Sequence, residues 1–220
     1  MTGDHDDPVP SNRREVAATY DRIAPHFSEK RQNPWPEVES FLENRRAEIA
    51  IDIGCGNGRH TELLAAIADR AIGLDVSRGV LGEARDRQRR HGFAAELVQA
   101  DASILPFHND GVDLAVYVAA LHHLPSREAR IASLDELARA LEPGAEALLS
   151  VWSTEHDAFD ETAGFDTTVS FTMPDGTAVP RFYHIYDPEE FAADLAKSDV
   201  VVEREWVSHG NCYAVVSGPR

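Results

Sequence analysis

Three aspartates and three evenly spaced glycines are the residues of this chain that most clearly indicate chemistry. The stretch from Ile49 to Gly58 reads I-A-I-D-I-G-C-G-N-G. Its aspartate is Asp52, and its glycines are Gly54, Gly56 and Gly58. Glycines permit a sharp turn and let backbone N–H groups approach a ligand with no Cβ in the way. A dinucleotide fingerprint would need its third glycine where the chain has Arg59. A carboxylate ahead of the turn would also repel a pyrophosphate, so the motif favours a ligand that carries an ammonium group.

The other two aspartates follow the next two predicted strands. Asp75 comes directly after the apolar run Ala71–Leu74, at about the 20-residue distance where a ribose-binding acid is expected. Asp101 closes the short predicted strand Ala95–Gln99. Because the carboxyl ends of parallel strands meet at one edge of a sheet, we expect the three acids to lie close together.

Three acids at successive strand ends, combined with this glycine turn, resemble the S-adenosylmethionine site of the class I methyltransferases. By that resemblance the turn holds the methionine part of the cofactor. The residues concerned are Asp52, Gly54, Cys55, Gly56 and Gly58. The same resemblance implies that Asp75 binds the ribose hydroxyls and that Asp101 and Ala102 meet the adenine.

The elements that must position these residues alternate between strand and helix. The run before the turn is typical of a parallel strand buried on both faces. Leu63, Leu64 and Ile67 share a face and predict a helix over Arg59–Ala68. The sequence further predicts helices over Asn12–Ala24, from an N-cap at Ser77 to a stop at Gly92, and from a capping box at Asp187.

This alternation predicts an α/β protein with a Rossmann-like class I methyltransferase fold. We expect seven strands in a mostly parallel sheet, helices on both faces, and a C-terminal antiparallel hairpin formed by Val200–Val207 and Tyr213–Val216. Residues 1–10 are expected to be disordered and residues 11–220 to form a single methyltransferase domain. Residues 153–180 lack a helical period and are predicted to be an inserted loop or hairpin over the substrate edge of the sheet.

The formal net charge of −17 sets an unusual electrostatic background. Lys30 and Lys197 are the only lysines, and all other cations are arginines. This mixture suggests a halophilic archaeon, because dense surface charge is screened over about 3 Å in molar salt. An acidic protein from a low-salt organism is the alternative. An RNA substrate is not excluded, since counterion release contributes little in molar salt.

Composition also indicates a location. No apolar run reaches the ~20 residues of a membrane span, and the acidic N-terminal residues are the reverse of a secretory signal. Cys55 and Cys212 are the only cysteines and have no metal-ligand spacing, so we expect reduced thiols, no metal and a cytoplasmic protein.

Motifs outside the glycine turn indicate the methyl acceptor. They are Tyr20–Phe27 with R-Q-N-P-W-P from Arg31 to Pro36, A-A-L-H-H-L from Ala119 to Leu124, and P-R-F-Y-H-I-Y from Pro180 to Tyr186. Together they resemble the tRNA wobble-uridine carboxymethyl methyltransferases, over about Val16 to Val216. The resemblance implies methylation of the carboxylate of 5-carboxymethyluridine in the tRNA anticodon loop. It also implies a small zinc-binding activator protein as a partner that covers an apolar sheet edge.

A carboxymethyl acceptor is already ionised at neutral pH and needs no general base. It needs groups that orient one oxygen, and the arginine fork matches a carboxylate. We therefore predict Arg31 and Arg181 as positioning cations and His122 and His184 as neutral donors. Trp35 and Tyr183 are predicted to stack on the flipped base.

Each of these residues also has a structural interpretation. His122 could tie the loop after the fourth strand, Trp35 could fill the core below the first helix, and Arg181 could pair with surface acids. Two other functions stay open on the sequence alone: a methyltransferase for a small metabolite, such as a quinone or a small acid, and a binding subunit without activity.

Overall fold

A computed structural model describes residues 13–219, so the predicted disorder of residues 1–10 falls outside the described residues. The helices are α1 Arg13–Glu29, α2 Pro36–Leu42, α3 Thr61–Ala65, α4 Arg78–His91, α5 Arg127–Ala140 and α6 Pro188–Lys197. The strands are β1 Ala47–Ile53, β2 Ala68–Asp75, β3 Glu96–Gln99, β4 Val112–Val118, β5 Leu141–Trp152, β6 Phe165–Thr172, β7 Ala178–Ile185, β8 Val201–Ser208 and β9 Asn211–Ser217. None of the helices in this range is long and apolar enough to cross a membrane.

Seven of the strands form one twisted sheet in the order β3-β2-β1-β4-β5-β9-β8. Strands β1 to β5 pair in parallel, and β9 pairs antiparallel with both β5 and β8. From β1, the strands β2 and β3 extend the sheet towards one edge, whereas β4 and β5 extend it towards the other. This switch in direction places a crevice at the carboxyl ends of β1 and β4. The predicted seven-stranded, mostly parallel sheet with a C-terminal antiparallel hairpin is confirmed.

The two faces of the sheet bury different residues, as strand alternation requires. Ile51 and Ile53 of β1 belong to a core that includes Leu134 of α5 and Phe191 of α6. Ala50, which points the other way, belongs to a second core with side chains of α2 and α3. The sheet is therefore covered by helices on both faces.

The first helix is longer than predicted. It continues through Pro25 to Glu29, although proline removes a backbone donor and usually ends a helix. Tertiary contacts offset this loss: the Tyr20 and Phe27 rings meet edge to face, and Asp21 accepts hydrogen bonds from Ser77 Oγ and from the N–H of Gly79. The extension carries Phe27 to the crevice.

The predicted boundaries of the helix after the glycine turn were wrong at both ends. The predicted helix Arg59–Ala68 is observed only over Thr61–Ala65. Ala68 already pairs with Ala47 as the first residue of β2, so the chain must leave the helix before that point. The short helix lengthens the turn that precedes it.

The segment after β5 contains a second, two-stranded antiparallel sheet formed by β6 and β7. Met173–Gly176 forms the turn that the sequence indicates, with Gly176 at a φ of 87°. Strand β7 packs against α1 and the short 3-10 turn Leu121–His123. This hairpin therefore brings β7 to the crevice at the carboxyl end of β4.

Candidate active site

The glycine turn after β1 is held open by backbone conformations that favour glycine. Gly54, Gly56 and Gly58 have φ values of 70°, 55° and 77°. A Cβ placed on Gly54 would lie 2.3 Å from the Cβ of Ala120, so no other residue fits there. The N–H of Cys55 donates to the carbonyl of Leu74, which ties the turn to β2.

Asp52 lies beneath the turn and lines neither of the two cavities of the crevice. It is 1% exposed, and its Oδ2 accepts a 2.6 Å hydrogen bond from Thr61 Oγ1. Burial raises the pKa of this carboxyl to about 7. Its contacts are with the protein itself, so the structure places it as a support of the turn.

Asp75 and Asp101 stand at the ends of β2 and β3, as predicted. Asp75 accepts from the N–H groups of Gly56 and Ser77 at 3.0 and 2.9 Å, and burial raises its pKa to about 6. Burial also acts to raise the pKa of Asp101, but hydrogen bonds from Ser103 and Arg13 outweigh it and lower that pKa. Arg13 lies 2.7 Å from Asp101, so α1 begins over this end of the site.

The first cavity of the crevice runs between these two acids. Its walls are the glycine turn, the carboxyl ends of β1 to β4, and one face of α1. The residues that matter for a ligand are Gly54, Gly56, Asp75, Asp101 and Ala102, with apolar neighbours Val16, Leu74, Val80 and Leu124. An apolar slot with carboxylates at its rim and bare backbone at one end fits the adenine, ribose and methionine parts of S-adenosylmethionine.

A second cavity opens beside the first and shares part of its wall. The shared residues are Tyr20, Phe27, Gly54, Gly56, Ala119 and His123. Its other walls are strongly basic: Lys30, Arg31 and Arg59 line it, and no aspartate or glutamate of the described residues does. In a chain with 38 acidic and 21 basic residues, this composition favours an anionic ligand.

The two predicted arginines differ in position, because Arg31 lines the second cavity whereas Arg181 lies behind it, packed on the Tyr183 ring. The Arg31 guanidinium packs 4.0 Å from the centre of the Phe27 ring. Burial, together with Arg181, lowers the pKa of Arg31. Arg181 is only 5% exposed, packs over the rings of Tyr183 and Phe171, and forms no ion pair within the described part of the chain. Its Nε and Nη1 atoms are buried without a hydrogen-bond partner there. Pairing with surface acids is therefore not its role.

The two histidines after β4 have fixed tautomers. His122 Nδ1 accepts from the N–H of Trp152 at 3.1 Å, so the proton of the neutral ring is on Nε2, which is buried without a partner among the described residues. His123 Nδ1 donates to the carbonyl of Phe182, so its Nε2 accepts from the Tyr20 hydroxyl at 2.8 Å. Burial lowers both pKa values, that of His123 to about 3. His122 therefore both ties the loop and presents a free N–H.

Tyr183 and Trp35 also line the second cavity. The Tyr183 ring stacks on His122 with centres 4.9 Å apart. Trp35 meets the rings of His60 and Tyr213 edge to face, so it fills the core and faces the cavity at once.

His184 is not brought to either cavity. Its neighbours in β7 point the opposite way, and both of its ring nitrogens contact carboxylates, Asp166 at 2.7 Å and Glu190 at 3.0 Å. The structure thus places His184 in a contact between the hairpin and α6.

Several cavity residues were not predicted. Lys30, Arg59, Tyr20, Phe27 and His123 line the second cavity. Tyr20, Phe27 and His123 belong to the motifs that indicate the acceptor, so the sequence contained a signal for them. No signal in the sequence indicated the position of Arg59 in this cavity, because Arg59 directly follows the glycine motif, which indicates only the cofactor.

Comparison with known proteins finds similarity to methyltransferases. Residues 50–144 match a family model described as a methyltransferase domain. The tRNA (carboxymethyluridine(34)-5-O)-methyltransferase of Arabidopsis thaliana is 35% identical over 146 residues, which cover 66% of this chain and 34% of the relative. The enzyme of the same name from Saccharomyces cerevisiae is 33% identical over 171 residues, covering 76% of this chain and 59% of the relative. The chain thus spans less than two thirds of the length of these relatives.

A solved complex between the Haloferax volcanii Trm112 methyltransferase activator and a protein assigned as a methyltransferase contains a similar chain. The TM-score is 0.69 at 17% identity, with 93% of this chain and 98% of that chain covered. At this identity the likeness shows the fold alone.

The family match identifies residues 50–144 as a methyltransferase domain, the sheet has the class I fold, and the first cavity fits S-adenosylmethionine. The predicted cofactor and enzyme class are confirmed. Within that class, the chain resembles the tRNA carboxymethyluridine methyltransferases named above.

Proposed function

We propose that this protein methylates the carboxylate of 5-carboxymethyluridine at the tRNA wobble position to the methyl ester. The observation that carries the proposal is the second cavity, which is basic, contains no carboxylate from residues 13–219, and shares a wall with the cofactor cavity. The sequence similarity to tRNA carboxymethyluridine methyltransferases supports the same acceptor.

When bound, S-adenosylmethionine supplies an electrophilic methyl group. The acceptor carboxylate, with a pKa near ~4, is ionised at neutral pH and needs no base. Arg31, two residues beyond the end of α1, lines the cavity, Arg181 of β7 packs behind Tyr183, and the free N–H of His122 adds a neutral donor. These groups hold one oxygen in place so that the other faces the shared wall, and such positioning can contribute several kcal/mol.

Tyr183 and Trp35 stack on the uracil ring in this proposal, which is supported by the position of both rings in the wall of the cavity that Arg31 also lines. Cys55 lines the second cavity between Gly54 and Gly56, where burial raises the pKa of its thiol and keeps it neutral. His184 has no part in acceptor binding, because both its ring nitrogens are engaged elsewhere.

Incubation of the purified protein with total tRNA and methyl-labelled cofactor tests the proposal. The expected product is label in a wobble nucleoside from which mild base releases methanol. Label in an RNA position that resists base would contradict ester formation. Label only in added small carboxylic acids would show a metabolite methyltransferase instead.

We also propose that the chain works with a small zinc-binding activator protein in a cytoplasm of high salt. Among the described residues, the large apolar side chains that are exposed lie at the edges of the main sheet: Ile104 beside β3, and Val201, Val202 and Val207 on β8. Such side chains at an edge favour a partner that covers them. Co-expression with a candidate activator should yield a complex with raised activity, and a monomer of equal activity would exclude the need for one.

A further inference from the structure

The second cavity holds more positive charge than one carboxylate can balance. Lys30, Arg31 and Arg59 line it, Arg181 packs behind its Tyr183 wall, and none of the three arginines forms an ion pair with a carboxylate among the described residues. A guanidinium fork matches both oxygens of a carboxylate, so a single carboxylate fully engages only one of these arginines. At least one buried or half-buried cation is left without its anion.

Arg59 and Arg31 pack on different aromatic rings of the second cavity. Arg31 packs on Phe27, which lines both cavities, whereas Arg59 packs 5.5 Å from the centre of the Trp35 ring. Trp35 and Arg59 line only the second cavity. A carboxylate next to the shared wall is therefore bound by Arg31, and Arg59 faces a different part of the acceptor.

The surroundings of Arg59 leave it ready for an anion. Its Nη1 donates to the carbonyl of Asn33 at 3.1 Å, and its other nitrogens have no hydrogen-bond partner among residues 13–219. Asp52 attracts it from beneath the glycine turn without forming an ion pair. Burial and the repulsion of Arg31 lower the pKa of Arg59 to about 10, a repulsion that a bound anion would relieve.

We propose that Arg59, packed on Trp35, forms a second anion subsite that binds a phosphodiester group next to the acceptor nucleotide. This inference rests on the proposed function, since it assumes that the acceptor is a nucleotide in RNA. A phosphate presents paired oxygens to the arginine fork. The subsite separates a nucleotide in a polymer from a small free acid, which has no second charge in reach.

The test compares acceptors that differ only in phosphate. Wild-type protein should methylate 5-carboxymethyluridine 3′,5′-bisphosphate with a kcat/KM at least tenfold above that of the free nucleoside. Arg59→Met, which keeps the packing on Trp35, should lose most of this preference, so that its kcat/KM values for the bisphosphate and for the free nucleoside differ by less than about threefold. Affinity for S-adenosylhomocysteine, measured by calorimetry, should stay within twofold of wild type.

Arg46→Met is the matched control, because Arg46 is exposed and precedes β1 at the opposite end from the glycine turn. It should retain the full phosphate preference. The same preference in Arg59→Met would overturn the subsite, as would a wild-type protein that does not distinguish the two acceptors.

Binding of uridine 3′,5′-bisphosphate separates the two proposals, because it needs no methyl transfer. If the protein methylates no carboxymethyluridine but binds the bisphosphate at least tenfold more tightly than Arg59→Met, the proposed function fails and the subsite stands. If wild type and variant bind the bisphosphate equally, the subsite fails.

Discussion

Arg181 keeps its guanidinium buried against two aromatic rings, with Nε and Nη1 lacking partners in the described part of the chain. A buried charge without a counter-ion costs stability, and a site retains it when the charge is needed for a ligand. At this position function and stability therefore oppose each other.

Replacing Arg181 by Met should lower kcat/KM for the RNA acceptor at least tenfold and should keep or raise the midpoint of thermal unfolding. Methionine fills the apolar space and removes the uncompensated charge. Activity assays and calorimetry check the two effects, with cofactor affinity as the control. A variant that unfolds earlier and loses cofactor binding as well would show that Arg181 is structural.

Asp52 makes the stability of the cofactor-free protein depend on pH. Its pKa is about 7 in the fold, against about 3.9 in an unfolded chain. The folded state therefore binds its proton more tightly, so the free energy of unfolding falls as pH rises from about 4 to about 7 and is level above that. Asp52→Asn, which still accepts from Thr61, should lack this part of the pH dependence.

Urea unfolding at pH 5 and pH 8.5 without cofactor measures the effect of Asp52. Wild type should lose more stability between the two values than the Asn variant. Parallel losses would mean that Asp52 is not the group that titrates.

At the scale of elements, the glycine turn needs both its backbone conformation and its empty space. Gly54 combines a φ of 70° with a close approach to Ala120, whereas Gly92, which ends α4 at a φ of 73°, has open space around it. A comparison of the two glycines therefore distinguishes the cost of the left-handed backbone conformation from the cost of a steric clash.

Gly92→Ala should cost about 1–2 kcal/mol, which is the strain of the left-handed conformation, and leave cofactor affinity unchanged. Gly54→Ala should cost more and weaken S-adenosylhomocysteine binding at least tenfold, since Ala120, which lines the first cavity, must move. Unfolding experiments measure the stability of both variants, and titration with S-adenosylhomocysteine measures their affinity for the cofactor product. Equal effects on binding would show that the turn tolerates a Cβ.

Local signals predicted those elements whose ends are set by neighbouring residues. Ser77 caps α4 by accepting from the N–H of Val80, Gly92 ends that helix, and Asp187 caps α6 by accepting from Glu190. The extent of α1 and of the helix after the turn depends on packing and strand register between distant segments. Neither is visible in a local pattern, so both boundaries were missed.

The candidate site shows the same division. The motifs located Asp75, Asp101, Arg31 and Arg181 because their residue types have a recognised place in each motif. Motif position did not show which way a side chain points: His184 and Tyr183 are adjacent in β7, yet only Tyr183 faces the second cavity. Strand alternation predicts that adjacent residues separate, but not which one turns inward.

Considered as a whole molecule, the protein carries a formal charge of −17, and its basic cavity is an exception on an acidic background. Self-repulsion acts over a screening length of about 10 Å at 0.1 M salt and about 3 Å at 1 M. This charge distribution makes the fold sensitive to ionic strength.

The midpoint of thermal unfolding should therefore rise between 0.1 and 2 M KCl, by about 2–4 °C for each kcal/mol of repulsion that is screened. Sorbitol of equal osmolality is the control, because it does not screen charge. A midpoint that responds equally to both solutes, or to neither, would argue against a protein adapted to high salt.

In the proposed reaction, the arginines at the second cavity would give the catalytic cycle a direction. The acceptor enters next to Arg31 as an anionic acid, and its esterification leaves the same substituent electrically neutral. Arg31 and Arg181 then lose the ligand that compensated their charge, so their hold on the modified nucleoside weakens at the moment it is formed. The pocket therefore favours release of its own product. Esterified RNA should bind the enzyme more weakly, and so inhibit it less, than RNA that still carries the free carboxylate.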